Sequence, residues 1–168
     1  ISVGHLIPRK GHDLIIRALA ELPGLDLLVV GRGPEEQALR RLAQGLGLAD
    51  RVRFCGAVAQ EELHVYYSAT DILVLASDRE GWPNVLLEAM ACGTPVAATN
   101  VWGSPEVVRS AAAGRLIAQR TPAAIADAVR QLHAALPARA ATRAYAEGFN
   151  WDSTSRGQIS LFSTILGR

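Results

Sequence analysis

Residues 78–95 read DREGWPNVLLEAMACGTP, and this run decides both how the chain folds and what it can bind. Glu80 and Glu88 have seven residues between them, among them Gly81, Trp82 and Pro83. Trp82 precedes a proline and is therefore held extended, so a helix opens after it, near Asn84. Glu88 falls four residues after Asn84, one turn into that helix and on the same face. Glu80 stays in the loop ahead of it. Gly93 stops the helix, with Pro95 just beyond. The two acids flank a helix N-terminus whose unpaired N–H groups, expected at Val85 and Leu86, attract anions. Two carboxylates beside an anion seat suit a ligand carrying both hydroxyls and phosphate, such as a sugar nucleotide. The bland alternative is an ordinary buried helix with a capping acid before it, but Gly81 and its neighbours then have no packing reason for their arrangement.

Outward from this run, strand and helix patterns alternate. Residues 1–3 read as a short strand, and residues 12–22 as a helix in which Leu14, Ile15, Ala18, Leu19 and Leu22 recur at helical spacing. Residues 25–30 form a run that is apolar but for Asp26 and is closed by Gly31, as in a strand covered on both faces. Pro34 opens a helix with Glu35 and Glu36 in its first turn. Residues 52–54, 72–76, 95–99 and 115–117 supply further strands, and residues 61–68 a short helix. Ser104 is placed to cap a short helix holding Glu106. A longer helix runs from Thr121 and Pro122 to about Leu136, and two more helical segments finish the chain. This alternation predicts an α/β fold: a doubly wound parallel sheet of about six strands with helices on both faces, in one domain over residues 1–168.

The 168 residues suffice for one packed core. Seventeen basic against sixteen acidic side chains leave a net charge of +1, which gives no bias toward nucleic acid. Cys55, expected in a loop after the third strand, and Cys92, expected at a helix end, read as reduced thiols. No Asp-x-Asp pair or His/Cys cluster suggests a metal, and no cofactor is expected. His12, His64 and His133 fall at helix starts or on helical faces and read as structural or solvated. The chain opens on Ile1 inside a strand pattern and reads as a piece of something longer.

The run Glu80, Glu88-Ala89-Met90-Ala91, Gly93 and Pro95 resembles the donor-binding motif of the family 4 glycosyltransferases, retaining enzymes of the GT-B fold. The likeness extends from the first loop to the last helix, yet matches only the second, donor-binding half of such an enzyme. The first, acceptor-binding domain is then absent. By this resemblance Glu80 meets the hydroxyls of the donor sugar and Glu88 the ribose, with Gly81, Asn84, Val85 and Leu86 lining the same donor site. The loop Gly4-His5-Leu6-Ile7-Pro8-Arg9-Lys10-Gly11 resembles the family's glycine-arginine loop. Lys10 inherits the role of holding the donor diphosphate, and His5 stands where the family usually has arginine, with fewer donors than a guanidinium fork. Gly33, in the turn after the second strand, lines the edge of the nucleotide site in the resembled family. The loop after Arg51-Val52-Arg53-Phe54-Cys55-Gly56 reads the nucleobase largely through backbone groups. Phe54 is also a natural core aromatic, while Gly56 lets the backbone come close to a flat base. Near Ser104 the family has a glycine-rich turn. The last apolar stripe, Ile159, Phe162 and Ile165, resembles a terminal helix that crosses back toward the other domain.

The resemblance implies transfer of a sugar from a nucleoside-diphosphate sugar to an acceptor, with Glu80 and Lys10 at the reacting centre and neither a metal nor a cofactor. The nucleoside-diphosphate sugar is the expected partner. The expected location is cytoplasmic, with any contact at the inner membrane face made through the absent domain. A sugar-nucleotide epimerase of the same architecture, a nucleotide-binding module without catalysis, and a flavodoxin-like signalling domain are the competing readings.

Overall fold

A computed structural model describes residues 1–167, apart from the side chains of Trp151, Ser153 and Thr154. Strands β1 (Ser2–Val3), β2 (Leu27–Val30) and β3 (Val52–Gly56) form one parallel ladder, with Val3 opposite Val30 and Val29 opposite Phe54. Strands β4 (Leu73–Leu75), β5 (Val96–Thr99) and β6 (Gly114–Ile117) form a second. The two ladders join edge to edge. Val74 donates its N–H to the Ile1 carbonyl at 2.8 Å, and the Ile1 amino group donates to the Ile72 carbonyl at 2.8 Å. The resulting order is β3-β2-β1-β4-β5-β6. The order reverses between β1 and β4, and in open parallel sheets the crevice beyond the carboxyl ends at such a reversal is where ligands bind.

Successive strand residues point to opposite faces, and both faces are apolar. Val29, Val74 and Ala97 pack on one side with Ile16 of α1 (His12–Leu19), Leu39 of α2 (Glu36–Gly45) and Ile125 of α6 (Pro122–Ala134). Val30, Leu73, Leu75 and Ala98 pack on the other with Tyr67 of α3 (Leu63–Ser68), Leu86 and Met90 of α4 (Asn84–Ala91) and Val107 of α5 (Ser104–Val107). Two helices follow α6, namely α7 (Arg139–Glu147) and α8 (Trp151–Leu166). On α8 the stripe Ile159, Phe162 and Ile165 is exposed. Arg139 of α7 donates to the carbonyls of Ser68, Thr70 and Cys92, so one guanidinium satisfies the ends of α3 and α4 together.

Several boundaries differ from the sequence reading, each for a visible reason. Helix α1 stops at Leu19, because the Leu22 N–H turns back to the Leu19 carbonyl. Pro34 precedes α2 instead of opening it. Cys55 lies inside β3 and not in a loop, since the Gly31 N–H bonds the Gly56 carbonyl at 2.7 Å and carries the ladder two residues further. Ser104 does not cap α5 with its side chain. It is the first residue of that helix, and its hydroxyl is buried without a hydrogen-bond partner among the described residues. The turn is set instead by Gly103, whose N–H is held by the Glu80 carbonyl at 3.3 Å. Helix α6 ends at Ala134, short of Leu136, and opens as expected with the Thr121 side chain accepting from the Ala124 N–H.

His12 is structural. Its Nδ1 shares a 3.0 Å hydrogen bond with the Ser2 hydroxyl, while Nε2 has no partner among the described residues. Burial pushes its pKa down to about 4, and the Lys10 charge acts in the same direction. The unfolded chain therefore binds a proton at His12 that the folded chain refuses between an ordinary histidine value and about 4. Stability is full above that window and falls as pH drops through it. By about pH 4 this loss approaches about 3 kcal/mol. Urea unfolding across pH 4–7 checks it, and His12→Gln is expected to flatten the acid limb.

Candidate functional site

The first loop carries its cation on a short 3₁₀ turn, Pro8–Lys10, which Gly11 ends at φ 67. Leu6 is fully buried and anchors the loop, and its N–H bonds the Arg32 carbonyl at 2.9 Å. The Lys10 stem runs past Gly4, where an added Cβ would sit 3.7 Å from Lys10 Cδ and Cε. This directs the ammonium group across the sheet reversal onto the loop after β4. There Lys10 Nζ donates to Glu80 Oε1 at 2.5 Å. The Ser77 hydroxyl donates to the same oxygen at 2.6 Å. Glu80 Oε2 takes no hydrogen bond among the described residues and remains as an acceptor. The side chains of Lys10 and Glu80 are only 17% and 11% exposed, so the pair is nearly desolvated.

Further contacts fix the two loops to each other. The Asp78 N–H bonds the Arg9 carbonyl at 3.0 Å. Arg120, just beyond β6, donates to the Ala76 carbonyl at 2.7 Å and to the Pro8 carbonyl at 3.1 Å. Thr99, at the end of β5, donates its hydroxyl to the Ser77 carbonyl at 2.6 Å. The segment that leads to Glu80 is thus tied to residues at or beyond the ends of β1, β5 and β6.

Glu88 sits one turn into α4, as the spacing predicts, and is half-buried. Tyr67 donates its hydroxyl to Oε2 at 2.8 Å, and Gln60 donates its amide to Oε1 at 3.0 Å. Burial, reinforced by the hydrogen bond to Glu88 and its charge, pushes the Tyr67 phenol above its ordinary value, so it stays a neutral donor. Glu88 is consequently fixed before any ligand arrives.

The other positions singled out in the sequence divide. The Leu86 N–H is not free: it donates to the Pro83 carbonyl at 3.0 Å, because the first turn of α4 tightens, and the Leu86 side chain is fully buried. Val85 is half-buried, and its N–H has no backbone partner among the described residues. Asn84 and Gly81 are exposed at the head of the helix. His5 is exposed on the first loop, next to the Lys10 turn. Gly33 has a packing reason, since a Cβ there would overlap the Leu6 backbone. The Phe54 ring packs against the core and carries the Arg40 guanidinium 4.4 Å above its centre, so its face is occupied by this chain. Gly56, at φ 72, closes β3, with the Arg32 side chain about 4 Å from where a Cβ would stand.

Sequence reasoning missed Ser77, Gln60, Tyr67, Thr99 and Arg120. Ser77, directly after the apolar run of β4, carried a positional signal; the others come from distant segments with no spacing that marks them. A cavity of about 380 Å³ lies elsewhere, at the amino ends of the strands. It is walled by Ile15, Leu22, Ile72 and Ile125 and contains none of Lys10, Glu80 or Glu88. Its lining, apolar side chains with the acids Asp26 and Asp71, does not suit a phosphorylated ligand, and Lys10, Glu80 and Glu88 lie elsewhere. Among the described residues, no three His, Cys, Asp or Glu side chains gather to hold a metal, and no helix is long and apolar enough to cross a membrane.

Residues 1–149 match the family model "Glycosyl transferases group 1". A D-inositol 3-phosphate glycosyltransferase of Mycobacteroides abscessus is 40% identical, over 98% of this chain and 39% of that protein. A GDP-mannose-dependent phosphatidylinositol monomannoside mannosyltransferase of Mycobacterium tuberculosis is 37% identical over 79% of this chain and 37% of its own length. Among solved structures, sucrose-phosphate synthase of Thermosynechococcus elongatus superposes with a TM-score of 0.85 at 32% identity, covering 99% of this chain and 45% of that one. Anabaena HepE in complex with UDP superposes at 0.84 and 26% identity, covering 97% and 48%. The chain spans less than half the length of these relatives.

The shared oxygen of Glu80 makes a coupling between its two donors testable. Lys10→Met strands a nearly buried carboxylate, whereas Lys10→Met with Glu80→Gln removes both charges. The double variant is expected to unfold at higher urea than Lys10→Met alone, with a coupling of about 1–3 kcal/mol in the double-mutant cycle. Additive effects would place the pair outside any stabilising contact.

Proposed function

Because the chain belongs to the glycosyl transferase group 1 family, we propose that it is the donor-binding half of a retaining glycosyltransferase. It takes a nucleoside-diphosphate sugar and presents the activated sugar to an acceptor held by the remainder of the enzyme. One observation carries this reading: Lys10 and Glu80 meet at 2.5 Å across the β1/β4 reversal, which sets a cation and an acid side by side at the ligand crevice. Neighbours of this fold were solved with UDP and with UDP-glucose, and the mycobacterial mannosyltransferase is named for its GDP-mannose dependence.

In this reading the residues act by position and charge. Glu88, held by Tyr67 and Gln60, accepts from the ribose hydroxyls. Glu80 offers its free Oε2 to a hydroxyl of the transferred sugar and so orients the anomeric carbon. An ammonium group has three donors. Lys10 therefore keeps Glu80 and still reaches a phosphate oxygen, linking the sugar side of the site to the phosphate side. As the bond between sugar and phosphate lengthens, negative charge collects on the departing diphosphate. Lys10, the Val85 N–H and the exposed His5 are the groups that offset it. These groups make a metal ion unnecessary, and the enzyme works on the cytoplasmic side of the cell.

A thermal-shift panel of nucleoside diphosphate sugars tests the proposal, since a ligand at 100 times its Kd adds about 2.7 kcal/mol to the folded state. A flat panel would defeat it. Calorimetry on variants separates the acids. Glu88→Ala is expected to weaken the bare nucleoside diphosphate and its sugar alike, by roughly 10- to 100-fold. Glu80→Ala should weaken chiefly the sugar-bearing form, and the opposite pattern would exchange the two roles. His5→Arg is expected to tighten binding of both ligands.

A further inference from the structure

Trp102 stands on backbone that a side-chain-bearing residue rarely adopts. Its φ is 46, the only positive value among the described non-glycine residues, and a bulky residue there is strained. The cost is not recovered by burial, for the side chain is 68% exposed. Trp82 offers the contrast: its ring lies 6.3 Å from Phe149, which in turn packs on Tyr145, so Trp82 belongs to an aromatic cluster. Trp102 has no aromatic partner among the described residues. Among the described residues the cation against its ring is the Arg79 guanidinium, 5.9 Å from the ring centre.

The turn that bears Trp102 is attached directly to the acidic loop. Gly103 donates its N–H to the Glu80 carbonyl at 3.3 Å, and it lies so close to the Gly81 carbonyl that a Cβ would overlap it. Ser104 closes the turn by donating to the Val101 carbonyl at 3.0 Å. The backbone that carries the ring is therefore fixed in relation to the Glu80 loop, with Arg79, the residue before Glu80, beside the ring. An exposed aromatic face beside a guanidinium, on a turn bonded to the Glu80 backbone, suits a pyranose, whose C–H face lies on such a ring while its hydroxyls meet nearby charged groups.

From this geometry we infer that Trp102 is a sugar-contacting residue, a plate for the ring of the transferred sugar at the rim of the site, whose strained backbone serves ligand binding and not packing. The inference rests on the donor-site reading above, and its test keeps the two apart. Calorimetry would compare UDP with UDP-glucose, and GDP with GDP-mannose, on the wild-type chain, Trp102→Gly and Trp102→Phe. Trp102→Gly is expected to lose about 2- to 10-fold in affinity for the sugar nucleotide that the wild type binds. The matching nucleoside diphosphate should be unaffected, and Trp102→Phe should restore most of the loss. Glycine suits this backbone, so the melting temperature of Trp102→Gly should be no lower than that of the wild type. With Trp82 and Trp151 replaced by Phe, the remaining indole emission should respond to the sugar nucleotide and not to the bare diphosphate. Unchanged sugar-nucleotide affinity in Trp102→Gly, or a drop in melting temperature without a binding change, would overturn the role of Trp102 and leave the donor site standing. A wild-type chain that binds the diphosphates but neither sugar nucleotide would also overturn it. A wild-type chain that binds no nucleoside diphosphate sugar of the thermal-shift panel would end both readings.

Discussion

A single carboxylate oxygen organises the ligand end of this molecule. Glu80 Oε1 accepts from Lys10 and from Ser77, and so binds the loop after β1 to the loop after β4 across the seam between two three-stranded ladders. Two nearly desolvated charges at contact distance hold each other strongly, because each would be costly alone. The arrangement also leaves Glu80 Oε2 without a hydrogen-bond partner among the described residues. The interaction that closes the fold at its switch point therefore also leaves the acid with an acceptor to spare.

That seam rests on modest backbone means. Two hydrogen bonds between β1 and β4 join the ladders, and β1 itself is only two residues long. Close approach of loops supplies the rest. Gly31, at φ 141, lies against the Gly4 carbonyl, and a side chain there would force the β1 and β2 loops apart. The apolar cores on the two faces then lock the sheet in place, each strand sending neighbouring residues to opposite sides.

Much of this was legible in the sequence because it is local. The extended Trp82-Pro83 step, the glycine stop at Gly93 and the apolar spacing of α4 place Glu80 in a loop and Glu88 on a helix without any tertiary information. The alternation of short apolar runs with helical periodicity likewise gives the parallel sheet, and the family match over residues 1–149 agrees with it. What stayed hidden is non-local. Tyr67 and Gln60 reach Glu88 from more than twenty residues away, and Arg120 reaches the first loop from the far side of the sheet. The Leu86 amide was misread because a tightened first turn depends on the Pro83 carbonyl, a detail of backbone geometry that residue spacing does not carry. Ser104 failed as a cap for the opposite reason: a plausible local signal was overridden by the contact of Gly103 with the Glu80 loop.

Arg120 has a mechanical consequence. Its guanidinium bridges carbonyls of both loops at the crevice from a position beyond the sixth strand. The crevice floor is thereby cross-braced like a truss, with little slack to be taken up when an occupant arrives. Loops braced in this way move with the sheet as one stiff body, and not by flexing separately.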